Sequence, residues 1–373
     1  GLPVGAVHSV GRSLHWLGAV YGAGVGPAVH ECAAAAGPDE PVRVPVSAEP
    51  TPLACAAARL GFGHWAARWW PASYTDGIPL LEPDVLGLEL AAVTHRCQQL
   101  FDDLDDQPDD CVADLILEHR AALDPLIQWW RAAPRPAATA RRLENVLWLI
   151  DSAADGAALV GPDLRDLRSA LERGPAGTPV DAGVPFARRD GYALAAGDAP
   201  VVGGRVIARG TGTNDWRRYP PGFVDAAEDS VSWTARALGA RRRIEVEVVA
   251  HVAAPVAGAL LVAEVRVHGG PPSRVPLARR DDVWTGRADL DLNPSPDVPA
   301  VATPPHVEVG VLLPGFDPGA GPEGRADRDA IRALARRRLA DAAQPRTSDD
   351  ACDACSAPFL AELLAATATG EDY

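Results

Sequence analysis

Residues 244–252 read Ile-Glu-Val-Glu-Val-Val-Ala-His-Val, and this stretch decides how the second half of the chain folds. Apolar side chains at every second position give a strand one buried face and one polar face. Residues 261–268, Leu-Val-Ala-Glu-Val-Arg-Val-His, repeat the alternation. The register that sets Glu245 opposite Arg266 also sets apolar residues opposite one another, so the two segments are predicted to pair as a hairpin.

Other segments of the second half alternate in the same way and are separated by turns rich in proline and glycine. They cover residues 205–209, 231–236, 283–290 and 306–313. Several short strands joined by such turns are typical of an antiparallel β-sandwich.

The first half has the period of a helix instead. Its clearest pattern spans residues 112–130, where apolar residues recur three or four positions apart and predict one long amphipathic helix that buries His119. Weaker stripes cover residues 83–101, 141–159 and 162–173. A further stripe, over residues 51–67, is formed by Leu53, Ala57, Leu60, His64 and Ala67.

These patterns predict an α+β protein of two segregated domains. Residues 1–173 form the helical domain, with a compact bundle over 50–173, and a Gly/Pro-rich linker covers 174–185. The β-sandwich follows over residues 186–313. Residues 314–373 hold a linker, a charged helix and an acidic tail that ends in a short amphipathic helix.

Composition limits the classes of function. The 373-residue chain has a formal net charge of −15 and no lysine, so all 35 of its basic residues are arginine. An acidic chain repels nucleic acid and anionic membranes, and without lysine it cannot build a P-loop. No apolar run long enough to span a bilayer and no secretory leader are recognised, and a GC-rich bacterial source with a cytoplasmic location is expected.

The most specific chemical motif is an acidic run that follows the helix predicted over residues 83–101. Asp102, Asp103 and Asp106 have a spacing that can hold Mg²⁺ ions against a diphosphate. Over these few residues the run resembles motifs of terpene cyclases. The second metal motif of that family is missing, because Arg218 and Gly222 occupy positions where a hydroxyl and a carboxylate are needed. The interpretation that we favour over a metal site is a solvated loop with helix-capping aspartates.

Histidine and cysteine give two further candidate sites. His64 and His119 lie on apolar helix stripes and could meet inside the bundle, with Glu89 or Glu118 completing a metal site. A satisfied core histidine is the alternative. Cys352 and Cys355 form an isolated CxxC pair in the acidic tail, which has neither a second cysteine pair for zinc nor a thioredoxin-like context.

Clusters of aromatic and arginine side chains indicate where a partner could bind, because Trp, Tyr and Arg dominate binding hot spots. The alternative is that the rings close the ends of the bundle. The proposed interaction surface comprises Trp69, Trp70, Tyr74, Trp216, Arg217, Arg218 and Tyr219.

Three functional hypotheses follow from the sequence. The first is a non-catalytic two-domain interaction or accessory protein that binds another protein or peptide and needs no cofactor. The second is a Mg²⁺-dependent enzyme of the helical domain that acts on a diphosphate or a small apolar substrate. The third is a peptide or substrate carrier that docks through the apolar tail residues Phe359 and Leu363.

Overall fold

The computed structural model describes residues 10–35, 44–45, 49, 51–99, 111–132, 136–174, 204–255, 258, 260–290, 306–319, 324–344 and 356–368. Helices come first, two antiparallel sheets follow, and a short helix lies near the C-terminus. The predicted α+β fold class is therefore confirmed.

The chain divides into two compact units that exchange segments. The division differs from the predicted boundaries because residues 66–81 belong with the sheets, whereas 344–363 belong with the helices. The helical unit is Gly1–Trp65, Glu82–Pro185 and Gln344–Leu363, and the β unit is Ala66–Leu81, Phe186–Ala343 and Leu364–Tyr373.

Proline begins three of the helices, because its fixed φ suits the first turn and its missing N–H is not needed there. In the described part of the chain, no helix has both the length and the apolarity to cross a membrane. The helices are α1 (Val10–Tyr21), α2 (Val25–Ala35), α3 (Pro52–Trp69), α4 (Pro83–Gln99), α5 (Cys111–His119), α6 (Leu123–Arg131), α7 (Ala137–Gly156), α8 (Pro162–Arg173), α9 (Arg325–Ala343) and α10 (Leu360–Ala368).

The single helix predicted over residues 112–130 is wrong. A 3₁₀ turn at Arg120–Ala122 separates α5 from α6. Pro125 provides the physical reason, because it has no N–H to donate and its ring clashes with the carbonyl four residues earlier. The apolar period continues across the break, since Leu123, Leu126 and Ile127 are all buried.

Helix α4 is the centre of the helical unit. It is buried on every side from Val85 to Val93 and packs against α5 and α7. A helix that is apolar all round belongs in a core. Gly87 permits the close approach of α5, since a Cβ at this position would lie 1.9 Å from the His119 ring.

Helix α3 buries only part of the predicted stripe, since Leu53 is buried and Leu60 is half-buried. Ala57, His64 and Ala67 are exposed. The buried side of α3 instead carries small residues and one arginine, namely Ala56, Arg59, Gly63 and Ala66. A prediction from hydrophobicity places an arginine on the exposed side of a helix. Arg59 is buried instead because Glu89 of α4 neutralises its charge.

The β unit contains two antiparallel sheets in the described residues. One has the strand order β1-β2-β3-β7-β6 and the other has the order β5-β4-β8. The strands are β1 (Arg205–Thr211), β2 (Val231–Leu238), β3 (Arg241–Val249), β4 (Val262–Val267), β5 (Ser273–Pro276), β6 (Ala278–Arg280), β7 (Val283–Asp289) and β8 (Val307–Leu312).

The predicted hairpin between β3 and β4 is wrong, because the two strands lie in different sheets. β3 pairs with β2 and β7, whereas β4 pairs with β5 and β8. Glu245 faces Arg287, whose Nε donates to it at 2.6 Å, and Arg266 donates to Glu264 at 3.1 Å. The alternation of apolar and polar residues predicts which face of a strand is buried, but not which strand lies beside it. Two sheets around one core bury the same residues as a hairpin would.

The two sheets enclose one apolar core. Val246 of β3, Val265 of β4 and Trp284 of β7 are buried in it, as are Trp216 and Tyr219 from the loop after β1. Gly286 of β7 allows the sheets to approach, since a Cβ there would lie 2.5 Å from the carbonyl oxygen of Pro276.

The sheet assignment predicts which charges are coupled. In double-mutant cycles with alanine, Glu245 and Arg287 should show a coupling of about 0.5 kcal/mol, which is typical of opposite charges across a strand pair. Urea unfolding measures it, and the Glu245–Arg266 cycle is the control. A coupling confined to Arg266 would contradict the observed register.

Candidate functional site

The helical unit is built around one buried carboxylate. Glu89 of α4 is 1% exposed and accepts hydrogen bonds from Nη2 of Arg59 on α3, at 2.5 Å, and from Nη2 of Arg142 on α7. Its second oxygen accepts the backbone N–H of Leu360, at 2.7 Å. Four segments of the chain therefore meet at one side chain.

Arg59 links this cluster to the start of α10. Its guanidinium donates to the carbonyls of Ala357 and Pro358 and lies 4.0 Å from the centroid of the Phe359 ring. Glu362 accepts the N–H of Phe359 at 2.7 Å, as in a capping box. Residues 357–363 are thereby fixed in the helical unit.

A cavity of about 190 Å³ lies beside the cluster. Its charged lining residues are Arg59, Glu89, Arg96 and Arg142, contributed by α3, α4 and α7. The rest of the lining is Thr51, Pro52, Cys55, Ala56, Ala92, Val93, Val146 and Leu149. A mainly apolar wall with a few charged groups is the usual composition of a ligand pocket.

Two polar hydrogens in this lining are unsatisfied. The Nε atoms of Arg59 and Arg142 are buried and have no hydrogen-bond partner in the described structure. Arg59 as a whole is only 7% exposed. Four other buried polar atoms of the described residues also lack partners, in Trp69, Thr94, Arg236 and Arg279, so this feature is not specific to the cavity.

The electrostatics keep Arg59 and Glu89 charged. Burial lowers the pKa of Arg59 to about 10, and Glu89 acts in the opposite direction. Burial alone would raise the pKa of Glu89, but the charges of Arg142 and Arg59 and the Leu360 N–H outweigh it and hold this pKa below its ordinary value. Glu89 is therefore an anion at neutral pH.

The sequence analysis missed Arg59, Arg96 and Arg142 and named Glu89 only as a possible metal ligand. The signal that could have found the cluster is Glu89 itself, a carboxylate between Leu88 and Leu90 on an apolar helix. A charge at such a position requires a buried partner.

The candidate metal ligands are not brought together in the described residues. Asp102, Asp103 and Asp106 lie outside those residues. His64 is exposed, whereas His119 Nδ1 lies 3.0 Å from Asp84, where it ties α5 to α4. Among the residues that the structure describes, no group of three His, Cys, Asp or Glu side chains could hold a metal ion.

Most of the predicted interaction surface is buried. Trp70, Trp216, Arg217 and Tyr219 are each at most 7% exposed. Trp69 and Arg218 are half-buried, and Tyr74 is the exposed member at 66%. The buried rings belong to the core because their polar atoms have partners there, as when Trp216 Nε1 donates to the Trp69 carbonyl at 3.0 Å.

The predicted tail site is also largely inside the protein. Phe359 and Leu363 are 1% and 4% exposed, so these two side chains are not free to dock on a partner. Cys352 and Cys355 lie outside the described residues. Cys55 is disulfide-bonded, whereas Cys32, Cys97 and Cys111 are free.

The β unit has its own carboxylate clusters. Asp225 accepts hydrogen bonds from Ser73 Oγ, the Tyr74 N–H and the Ala227 N–H, at 2.6 to 2.9 Å. Glu228 pairs with Arg328 at 2.5 Å and with Arg332 at 2.9 Å. These contacts hold residues 73–76 and helix α9 to the sheets.

A groove of about 570 Å³ lies in the same unit. Its guanidiniums already have carboxylate partners. Arg217 pairs with Asp215 at 2.8 Å, and Glu264 pairs with Arg218 at 3.7 Å and with Arg266 at 3.1 Å. The groove therefore offers less unsatisfied charge than the cavity beside Glu89.

Comparison with known proteins adds no family to these observations. No family model, curated protein or solved structure matches the chain. The residues and their geometry carry the functional argument.

Replacing Glu89 tests the central cluster. Glu89→Gln should destabilise the helical unit by about 3–5 kcal/mol, because it leaves the buried guanidinium of Arg59 and the partly buried one of Arg142 without a counter-charge. Urea unfolding followed by tryptophan fluorescence measures the loss. Glu144→Gln, on the exposed side of α7, is the matched control, and a loss below about 1 kcal/mol would show that the cluster is dispensable.

Acidic pH should weaken the attachment of α9 to the sheets, because it protonates Glu228. Burial opposes ionisation of Glu228, but the hydrogen bonds from Arg328 and Arg332 outweigh it and hold the pKa of Glu228 below its ordinary value. Between those two pKa values the unfolded state binds more protons, so this stabilisation is present above about pH 4.3 and is lost as the pH falls through the folded-state pKa.

Hydrogen exchange of α9 between about pH 6 and about pH 3.5, corrected for intrinsic rates, follows this loss. Glu228→Gln should lower protection already at the higher pH and flatten the pH dependence. Asp341→Asn, on the exposed side of α9, should behave as the wild type. An unchanged pH profile in Glu228→Gln would refute the role given to Glu228.

Proposed function

We propose that the chain is a non-catalytic binding protein whose helical unit holds a small molecule in the cavity beside Glu89. The observation that carries the proposal is the cavity itself, a mainly apolar space whose charged lining consists of three arginines and a single carboxylate. Such a lining is the usual composition of a ligand pocket.

The lining favours binding over catalysis. Both oxygens of Glu89 are occupied, and its lowered pKa makes it a weak base. The Thr51 hydroxyl donates to the Ala19 carbonyl at 2.5 Å and accepts the Ala54 N–H at 3.0 Å. Cys55 is in a disulfide, so neither side chain is an activated nucleophile.

The proposed function combines parts of the three hypotheses drawn from the sequence. It retains the non-catalytic role of the first and the carrier role of the third, but it places the ligand in the cavity and not at the tail. The aromatic surface for a protein partner loses its main motivation, because Trp70 and Trp216 are buried. The Mg²⁺ enzyme remains a separate hypothesis, since Asp102 and its neighbours lie outside the described residues.

The disulfide at Cys55 also bears on location. Disulfides persist in oxidising compartments and are rare in a reducing cytoplasm. The bond therefore supports an oxidising compartment as the place where this protein binds its ligand, in preference to the cytoplasmic location expected from composition.

Filling the cavity tests the proposed function. Thermal shift of the full chain is measured with small carboxylates, amines and neutral amides at millimolar concentration, and at least one class should raise the Tm by about 3 °C or more. Ala56→Leu fills the cavity from α3 and should abolish that shift. Ala58→Leu, on the exposed side of the same helix, should preserve it.

Two results would refute the proposal. One is a panel in which no chemical class raises the Tm of the wild type. The other is a ligand-induced shift that survives unchanged in Ala56→Leu, since the ligand would then bind elsewhere.

A further inference from the structure

The charges around the cavity do not balance. Three arginines, Arg59, Arg96 and Arg142, line it together with a single carboxylate, Glu89. Glu89 is shared by Arg59 and Arg142, and the buried Glu362, which lies outside the lining, also acts electrostatically on Arg59, so an excess of one positive charge remains. A site with excess positive charge attracts anions and repels amines.

The guanidiniums of the lining show where an anion would be held. Arg59 and Arg142 contact Glu89 through Nη2, the Arg142 side chain is 24% exposed, and Arg96 is exposed. Hydrogen bonds from guanidinium to carboxylate are short, directional and about twice as strong as neutral ones. One carboxylate has two oxygens, so it can accept from more than one of these guanidiniums.

The remaining wall requires an apolar part in the ligand. Val93, Val146 and Leu149 line the cavity together with Ala56 and Ala92. An inorganic anion would leave these side chains facing water, whereas an aliphatic group would cover them. Each buried methylene contributes about 0.8 kcal/mol, or about fourfold in affinity.

The volume limits how large that apolar part can be. An engineered cavity of about 150 Å³ holds benzene, so a cavity of about 190 Å³ accommodates only a small molecule. Drug-sized ligands need pockets of about 300 Å³ or more. A long-chain fatty acid or a nucleotide is too large for this cavity.

From these observations we infer that the ligand is a small organic monoanion, a carboxylate attached to a short branched or unbranched aliphatic group. Its oxygens accept from Arg59 and Arg142, and its aliphatic part lies against Val93 and Val146. Arg96, which is exposed, attracts the anion electrostatically. This inference rests on the proposed binding function and adds the chemical class of the ligand.

Isothermal titration of the full chain with a matched series tests the ligand class. Affinity should rise about fourfold for each carbon added from acetate to isovalerate, and should fall again for octanoate because the cavity is exceeded. Isovaleramide, which has the same shape without the charge, should bind at least about tenfold more weakly. Isoamylamine should not bind measurably.

Variants assign the binding to the named arginines. Arg142→Gln should weaken isovalerate binding at least about tenfold, whereas the adjacent and exposed Arg141→Gln should leave it unchanged. If Arg142→Gln does not fold, Arg96→Gln provides the test. Arg96 does not contact Glu89, so its replacement should weaken binding about two- to fivefold and reduce its salt dependence between about 0.05 and about 0.5 M NaCl.

The outcomes separate this inference from the proposed function. Tight binding of isovaleramide or isoamylamine in the same cavity would overturn the carboxylate assignment and leave the binding function intact. Inorganic phosphate that binds more tightly than every carboxylate would overturn the requirement for an apolar part. Isovalerate binding that is unaffected by both Arg142→Gln and Arg96→Gln would overturn the role of the arginines.

Discussion

The helical unit depends on the neutralisation of one buried carboxylate. Burying an isolated ion costs several kcal/mol, so Glu89 is tolerable only where its partners are all in place. Those partners come from α3, α7 and the first turn of α10, and each is far from Glu89 in sequence. Dispersion and apolar burial hold the helices together, and Glu89 selects which arrangement of them is stable. The same requirement fixes residues 357–363 in the helical unit.

The β unit also depends on carboxylates that are paired with donors from distant segments of the chain. Asp225 organises residues 73–76 through backbone and hydroxyl donors, and Glu228 holds α9 through two arginines that are at most 4% exposed. A chain whose only basic side chain is arginine gains from this arrangement. The planar guanidinium satisfies several acceptors at once and buries more readily than an ammonium group does. The acidic composition therefore includes buried, paired carboxylates as well as a solvated surface.

The sequence predicted the position of most strands and helices, but it did not predict which strands pair with one another. Two-residue alternation located β1, β2, β3, β4, β7 and β8, because each strand has one face in the core. It could not decide between the β3–β4 hairpin and two separate sheets, since both bury the same residues. The short strands β5 and β6 have too few residues to show a period.

In the helical half, Pro125 ended a helix whose apolar stripe continued, and Arg59 shifted the buried face of α3. The cavity could not be predicted because its residues come from three helices whose mutual packing no local pattern specifies.

The proposed binding site differs from the ion pairs of the β unit in the mainly apolar cavity beside it, and not in the sharing of a carboxylate. Glu228 is likewise shared by two buried arginines, Arg328 and Arg332, which hold α9 to the sheets. At Glu89, the buried Arg59 and the partly exposed Arg142 share one carboxylate, and each has a buried Nε–H without a partner. Both features lower stability in the empty protein, because like charges repel and buried donors remain unsatisfied. If the proposed ligand binds, its negative charge offsets the repulsion between the arginines, and its apolar group covers the cavity wall.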